Sequence, residues 1–441
     1  MKIHRSSPRP AGKNALRLMI LCSTTGYQTS AFAEAASAMG LDVRFGSDRC
    51  HVLDDPWQDG ALPLRFERPD ESAQKVVNYA RLNPLDGIVA LGDRTVPVAA
   101  RACALLNLPC HSPEAADICR DKYRSRVRLR DAGFNVPAFE RYPLEIDPRE
   151  IVRHGPSTGF PCVLKPLSLS GSRGVIRANN PQEFVRNFER IRALLRARDV
   201  RVMRDESDRH IQVEAYIPGV EIAAEGLVDH GKVALLAIFD KPDPMEGPFF
   251  EETLYVTPSR LAASAQRQVA VTLERAAAAL GLLHGPFHAE MRINSSGVWP
   301  LEVAARSIGG LCARTLRFSS PALGERVPLE QVVIALSLGM DTHPVRREDL
   351  AAGVMMIPIK EGGIFQGVEG LDEARATPGV EDIVITIKPT QRMIPFPEGC
   401  SYPGFIFARG KSPECVERAL RMALLKLRFK LTAQLPVVAG G

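Results

Sequence analysis

Two glutamates twelve residues apart constrain this chain more than any other feature. Residues 288–306 read HAEMRINSSGVWPLEVAAR, in which two apolar-rich arms flank Asn294-Ser295-Ser296-Gly297, a run with turn chemistry. A hairpin centred on Ser296 sets Glu290 opposite Glu302, and His288 opposite Ala304 on the same face. Cβ atoms so paired lie about 4.5–5.5 Å apart. Two opposed carboxylates repel and lose solvation, so a cation should join them. Mg2+ suits their hard oxygens, as does Mn2+, with phosphate or water completing the coordination. Arg306, at or just past the strand end, can face an anionic oxygen. The plain alternative is an edge hairpin with two solvated acids, and a one-residue slip in register would separate the pair.

The rest of the chain supplies a setting of alternating strands and helices. Strands are expected at 16–22, 41–45 and 87–91, with helices at 30–39 and 96–106. That order favours a parallel sheet with ligands beyond the carboxyl ends of its strands. Thr24, Thr25 and Gly26 occupy such a position but do not form GxGxxG; they are either a substrate-contacting loop or a plain turn. The reading divides the chain into an α/β unit at 1–112 and a unit at 113–340, with a smaller lobe at about 121–212. A C-terminal α+β unit at 341–441 would complete the substrate side. Hairpin strands are expected at 221–228 and 233–239, a long helix at 261–281, and helices from the glutamate hairpin to about residue 339. Strands at 354–359, 382–388 and 404–408 and a helix at 413–425 would build the last unit.

Composition narrows the function classes. The 441 residues suit two to four domains. No apolar run approaches the roughly 18 residues of a membrane helix, and the basic N-terminus lacks a signal-peptide core, so a cytoplasmic protein without membrane contact is expected. Nine cysteines without a CxxC pair argue against a zinc ribbon or a disulfide scaffold. The net charge of +5 arises from 56 basic and 51 acidic residues, too even a balance for a nucleic-acid-binding domain.

Two further segments carry chemistry. Strand residues 162–166 place Lys165 before LSLSGSRGV. There Gly171 and Gly174 let the backbone approach phosphate oxygens, and Ser168, Ser170 and Ser172 offer hydroxyls. This is not a Walker A loop, and an ordinary flexible turn is its alternative. Glu214 and Glu221 flank Ala215-Tyr216-Ile217-Pro218-Gly219. Extended backbone after Glu214 could meet an adenine edge, Ile217 could pack on it, and Glu221 could accept from ribose hydroxyls. Lys122 begins a basic helix, where a solvated lysine is the ordinary reading.

In this order the motifs resemble those of the ATP-grasp superfamily: helical Lys122, Lys165 with the 168–174 loop, EAYIPGVE at 214–221, and Glu290 with Glu302-Val-Ala-Ala-Arg306. The EVAAR form and the C-terminal unit are similar to bacterial L-amino acid ligases, which make dipeptides. The resemblance implies an ATP-grasp fold between an N-terminal parallel-sheet domain and a C-terminal α+β domain. It implies ATP phosphates on Lys122, Lys165 and the loop, adenine on Glu214 with the Ala215 and Ile217 backbone, and ribose on Glu221. It also implies Mg2+ on Glu290 and Glu302, and Arg306, Lys165 and Glu302 serving phosphoryl transfer. Many superfamily members read E-x-N-x-R, with the Asn on metal; here Ala304 has no ligand atom, which leaves the number of metals open.

The implied reaction is ATP-dependent joining of a small-molecule carboxylate to an amine through an acyl phosphate, releasing ADP and phosphate. A bicarbonate-dependent carboxylase or nucleotide-precursor ligase and a non-catalytic ATP-responsive binding protein are the alternatives. For substrates, the proline-rich segment 239–252 is either a surface Ω-loop or a substrate-lining loop in which Lys241 would attract a carboxylate and Glu251 or Glu252 an ammonium; the Ser307, Gly309 and Gly310 backbone would approach the acceptor or cap a helix. His288 is expected to pack or to touch water near the metals, and His154 and His284 are read as structural. Homodimers are common in that family; the sequence itself gives no oligomer signal.

Overall fold

The computed structural model describes residues 15–24, 26–48 and 61–433. Thr25, which belongs to the loop singled out above, lies outside them, as do Cys50 and the chain ends. Strand Arg17–Cys22 sits between Asp42–Ser47 and Gly87–Leu91 in a parallel sheet, with the short Leu62–Pro63 at its edge. Leu18, Met19, Ile20 and Leu21 are fully buried, as a strand covered on both faces requires. The carboxyl ends of these strands carry Ser23, Gly26, Gln28 and Asp93 to the rim of a deep cleft.

A second, antiparallel sheet runs in the order Phe139–Pro143, His210–Ala215, Cys162–Pro166, Ile176–Ala178. Helix Pro181–Leu195 covers one face with Phe184, Phe188 and Ile191. Val163 pairs with Glu214, so Lys165, two residues on, shares a face with that carboxylate.

The third sheet has eight antiparallel strands in the order Gly297–Ala304, Gly285–Asn294, Val220–Asp229, Lys232–Asp240, Leu254–Thr257, Ala351–Met356, Gly404–Gly410, Val380–Ile385. Helix Ala263–Leu280 packs on one side of it, and helix Pro413–Lys426 packs on the C-terminal strands. The last three strands in this order come from beyond residue 341, so the C-terminal unit shares a continuous sheet with the one before it. Ala351–Met356 begins three residues earlier than expected, paired with Gly404–Gly410 from Ala351 on, and ends three earlier, since Pro358 has no N–H to continue the ladder. Helices do not fill the stretch to residue 339. A 3-10 turn at Cys312–Thr315 leads into a hairpin of Arg317–Ser320 and Gly324–Pro328 before helix Leu329–Ser337. Pro321, Gly324 and Pro328 break any helix there. Among the described residues, no helix is long and apolar enough to cross a membrane.

The glutamate hairpin pairs Glu290 with Glu302 and His288 with Ala304, by a route different from the one expected. Its turn is the two-residue Ser295-Ser296, closed by the Asn294–Gly297 pair. Carried on unbroken, that register would set Glu290 against Leu301. A bulge at Leu301 absorbs one residue and restores the opposition. Arg126 holds the bulge, donating to the carbonyls of Pro300 at 2.6 Å and Leu301 at 2.8 Å.

Candidate active site

The antiparallel sheet, the glutamate hairpin and the rim of the parallel sheet enclose one cavity of about 440 Å3. Lys122, Lys165, Ser168, Ser170, Gly171 and Ser172 line it, as do Glu214, Ala215, Ile217 and Glu221. Glu252, Glu290, Glu302, Arg306, Gly309 and Gly310 complete the set of expected residues found there. Gly174, Lys241, Glu251 and Ser307 are not part of its lining. Gly174 has φ +73° and donates to the Pro397 carbonyl at 2.9 Å; a Cβ there would stand 2.7 Å from the Pro166 ring. It shapes the loop and leaves the inner surface to its neighbours. Ser307 is buried and its carbonyl accepts from Arg306 at 2.9 Å.

The cations are held in place by carboxylates. Lys165 Nζ lies 2.6 Å from Glu214 Oε2, and Arg126 Nε lies 2.8 Å from Glu214 Oε1. Gln212 donates to the same Oε1 at 2.6 Å. Lys122 Nζ donates to the Leu169 carbonyl at 2.9 Å and stands 3.4 Å from Glu302 Oε2. This lysine therefore bridges the serine–glycine loop and the hairpin. Arg306 forks onto Asp93 of the parallel-sheet unit, at 2.7 Å and 2.9 Å.

Several expected contacts are modified by these pairings. Both oxygens of Glu214 are engaged, so it orients Lys165 from below. The Ala215 N–H donates to Ala138, and the Ile217 carbonyl accepts from Arg292 at 2.5 Å. Glu221 is also doubly paired, with Lys241 and Arg292, each at 2.9 Å. Lys241 does not reach into the cleft for a substrate carboxylate. Its side chain is 3% exposed and lies 2.9 Å from Glu221, 2.6 Å from Glu252 and 3.6 Å from Glu290. Three acids in a desolvated corner require a resident cation, and Lys241 is that cation. Glu251 is partly buried, and its Oε1 has no hydrogen-bond partner.

Protonation follows from these neighbours. Burial alone would raise Glu214, but Arg126 and then Lys165 outweigh it and hold the carboxyl at about 2. Its depressed value means that its stabilisation is present above the unfolded carboxylate value and is lost as pH falls towards 2. Replacing Glu214 by glutamine is therefore expected to remove about 3 kcal/mol of the stability otherwise lost between pH 5 and pH 2. Urea unfolding across that range measures it; an unchanged slope would deny the carboxylate this role. Burial raises Glu290 well above the ordinary range, and Glu252, Glu302 and Glu221 reinforce the rise against the pull of Lys241.

The residues fit a divalent cation on this ground. Carboxylate oxygens of Glu221, Glu252 and Glu290 lie within 4.8 Å of one another, and Glu302 faces Glu290 across the hairpin. Among the described residues, Glu290 and Glu302 make no ion pair closer than 3.4 Å, so both keep ligand capacity. Their all-oxygen chemistry favours Mg2+ or Mn2+ over softer metals.

Sequence reasoning missed Asp93, Arg126, Arg292 and Glu225. Glu225 is fully buried, 3.0 Å from His288 Nδ1, and accepts from the Ile308 N–H at 3.1 Å. His288 lines the cleft beside it. Strand periodicity could have exposed Glu225, which lies four residues from Glu221 on the same face. Asp93 follows the Gly87–Leu91 strand at its carboxyl end, the position where parallel sheets bind ligands.

Three family models match the chain: an ATP-grasp N-terminal domain over residues 33–110, an ATP-grasp domain over 158–315, and an L-amino acid ligase C-terminal domain over 355–432. The structure is similar to that of L-amino acid ligase from Bacillus licheniformis, with a TM-score of 0.76 and 25% identity, covering 96% of this chain and all of that one. In sequence it is 26% identical to alanine–anticapsin ligase of Bacillus subtilis over 55% of this chain and 53% of that protein. It is also 26% identical to carnosine synthase 1 of Gallus gallus, over 80% of this chain and 39% of the other. The chain thus spans about half the length of the bacterial ligase it matches and less of the animal synthase.

Proposed function

The chain belongs to the ATP-grasp superfamily, close to the L-amino acid ligases, and from that premise we propose that it is an ADP-forming ligase joining the carboxylate of an amino acid to an amine. One observation carries the reading: Glu290 and Glu302 oppose each other in a cleft that also presents Lys122, Lys165 and Arg306. Carboxylates for a metal and cations for phosphates meet there in one 440 Å3 space.

A carboxylate cannot lose oxide at neutral pH, so it must first be activated. Its oxygen attacks the γ-phosphorus of ATP, the bond to the β-phosphate oxygen breaks, and an acyl phosphate and ADP form. The substrate ammonium gives up one proton, the resulting neutral amine attacks the acyl carbon, and phosphate leaves with the electron pair of the C–O bond while the nitrogen's second proton ends on the phosphate. Lys165, oriented by Glu214, and Lys122, tethered to the Leu169 carbonyl, supply positive charge along the phosphate tail. Arg306 offers its guanidinium to the phosphoryl group in transit. Mg2+ on Glu290 and Glu302 would neutralise the phosphates, and Mn2+ fits the same oxygens. Enclosure matters because water competes for the acyl phosphate.

The full chain incubated with ATP, Mg2+ and pairs of amino acids is expected to release ADP and phosphate together with a product one water lighter than the sum of its substrates. Chromatography and mass spectrometry read both. Failure of any acid and amine pair to release phosphate, with ATP demonstrably bound, would leave an ATP-responsive binding protein; dependence on bicarbonate would point to carboxylation. Glu290→Gln and Glu302→Gln are each expected to raise the Mg2+ concentration needed for half-maximal ADP release by about tenfold or more, taking the loss from an outer-sphere ligand partner as a lower bound. An unchanged Mg2+ dependence in both variants would remove the metal from this hairpin.

A further inference from the structure

The far end of the eight-stranded sheet carries a second cluster of ligand atoms with a different chemistry. Strands Val220–Asp229 and Lys232–Asp240 are joined by a tight turn in which His230 and Gly231 both have positive φ. Glu221 and Asp229 sit near opposite ends of one strand, about 26 Å apart at 3.3 Å per residue. Asp229 Oδ1 lies 2.7 Å from His230 Nδ1 and 3.1 Å from His284 Nδ1. His343 Nε2 lies 3.8 Å from the other oxygen, Oδ2. Three loops contribute: the strand turn, the 281–284 segment after helix Ala263–Leu280, and the 339–345 segment after helix Leu329–Ser337.

His284 gives the cluster its meaning. It is 4% exposed, and its Nε2 lies 2.9 Å from the Leu336 carbonyl, which can only accept. That nitrogen therefore bears the proton. In the neutral ring Nδ1 is then a lone pair, buried and without a hydrogen-bond partner, and a carboxylate oxygen stands 3.1 Å from it. A buried lone pair beside a carboxylate oxygen is unfavourable unless a positive charge stands by both. Neighbouring His111 shows the satisfied alternative: its Nε2 meets the Pro286 carbonyl at 2.9 Å and its Nδ1 accepts from the Leu283 N–H at 3.2 Å.

We propose that Asp229, His230 and His284 form a second divalent-metal site, with His343 placed to close it, and that the site takes Zn2+ or a similar imidazole-binding ion. Donor atoms bound at 2.0–2.1 Å around a tetrahedral ion stand about 3.3 Å apart, close to the spacing of His284 Nδ1 and Asp229 Oδ1. The ligating atoms of Asp229, His230 and His284 all fall within 4.8 Å of one another. Two or three imidazoles and one carboxylate favour Zn2+ and disfavour Mg2+, which separates this site from the all-oxygen pair of the cleft. The His230 side chain is 80% exposed and that of His343 is 42% exposed, so an ion can enter from solvent. Bound there, it would clip three loops to the base of the strand that carries Glu221 and Glu225.

The full chain, stripped with chelator and dialysed against Zn2+, tests this by metal counting and by the visible absorption of substituted Co2+. Wild type and Glu290→Gln are expected to retain one tightly bound ion. His230→Ala and Asp229→Ala are expected to bind it more than about tenfold more weakly, since loss of even an outer-sphere partner costs that much. Zn2+ should raise the Tm of wild type and not of those variants. His230 is exposed on a turn, so its replacement leaves folding intact. Absence of bound Zn2+ in wild type, or tight binding retained in either variant, would overturn the proposal and leave His284 as an imidazolium paired with Asp229.

Discussion

Replacing Arg306 by alanine is expected to lower kcat by about 10²–10³-fold with little change in KM for ATP. The guanidinium is 12% exposed and held by a fork on Asp93 and by the Ser307 carbonyl. Burial works against its charge, but Asp93, followed by Glu302 and Glu225, keeps it firmly protonated. A charge so fixed costs no reorganisation when the phosphoryl group passes it, and its effect falls on the transition state more than on ATP binding. The truncation also strands Asp93. Burial would raise that carboxyl, yet Arg306, with help from Lys122 and Arg120, holds it below the ordinary range. Removing the arginine alone should therefore destabilise the fold by roughly 3–5 kcal/mol, which would confuse a simple activity assay. The double variant Asp93→Asn/Arg306→Ala separates the two effects. It should recover most of the stability, read by urea unfolding, while kcat remains low. A kcat within a few-fold of wild type in either variant would remove Arg306 from the chemistry.

The parts of this site that could be read in the sequence are those set by local geometry. Lys165 and its loop are adjacent in the chain, and Glu290 and Glu302 are brought together by a single turn. Even there the turn and the bulge each differ from a simple reading, and two one-residue departures cancel at Leu301. That cancellation depends on Arg126, whose fork reaches the bulge from a helix some 174 residues earlier. Such long-range partners leave no periodic signal. Asp93 and Arg306 are 213 residues apart, and neither position announces the other. Lys241 shows the same difficulty. A lysine in a proline-rich segment reads as one that attracts a substrate carboxylate, and only the packed sheet shows three of the chain's own carboxylates closing around it. Many of the strands were legible as short apolar runs, whereas Phe139–Pro143, Leu254–Thr257 and Gly363–Glu369 were not, nor was the joining of the C-terminal strands to the sheet of the preceding unit. Periodicity reports which face is buried, not which neighbour covers it.

Lys241→Met is expected to destabilise the protein by about 3–5 kcal/mol at neutral pH in metal-free buffer. Methionine fills a comparable volume, so the loss should come from charge more than from packing. The variant leaves Glu252 and Glu290 in a desolvated corner without a counter-ion, while Glu221 keeps Arg292 at 2.9 Å. The pH dependence distinguishes this account from a packing defect. In wild type, burial would raise Glu252, but Lys241 outweighs it and holds the carboxyl at about 2. Its stabilisation is present above the unfolded carboxylate value, near 4.3, and is lost as pH falls towards 2. Lys241 itself is raised well above its ordinary range by Glu221, Glu252 and Glu290 against the effect of burial. Its contribution is complete below about pH 10 and disappears only as pH rises through the higher folded value. Without the lysine, burial lifts Glu252 above its unfolded value, so the folded variant gains protons, and stability, as pH falls. The two stability curves should therefore lie far apart at pH 7 and converge towards pH 3. A packing defect would shift the curve by a constant amount. Mg2+ offers an independent check: the more negative corner should bind it more tightly, so millimolar Mg2+ should restore more stability to the variant than it adds to wild type. Parallel curves, with equal Mg2+ stabilisation in both proteins, would show that Lys241 is not the cation balancing this cluster.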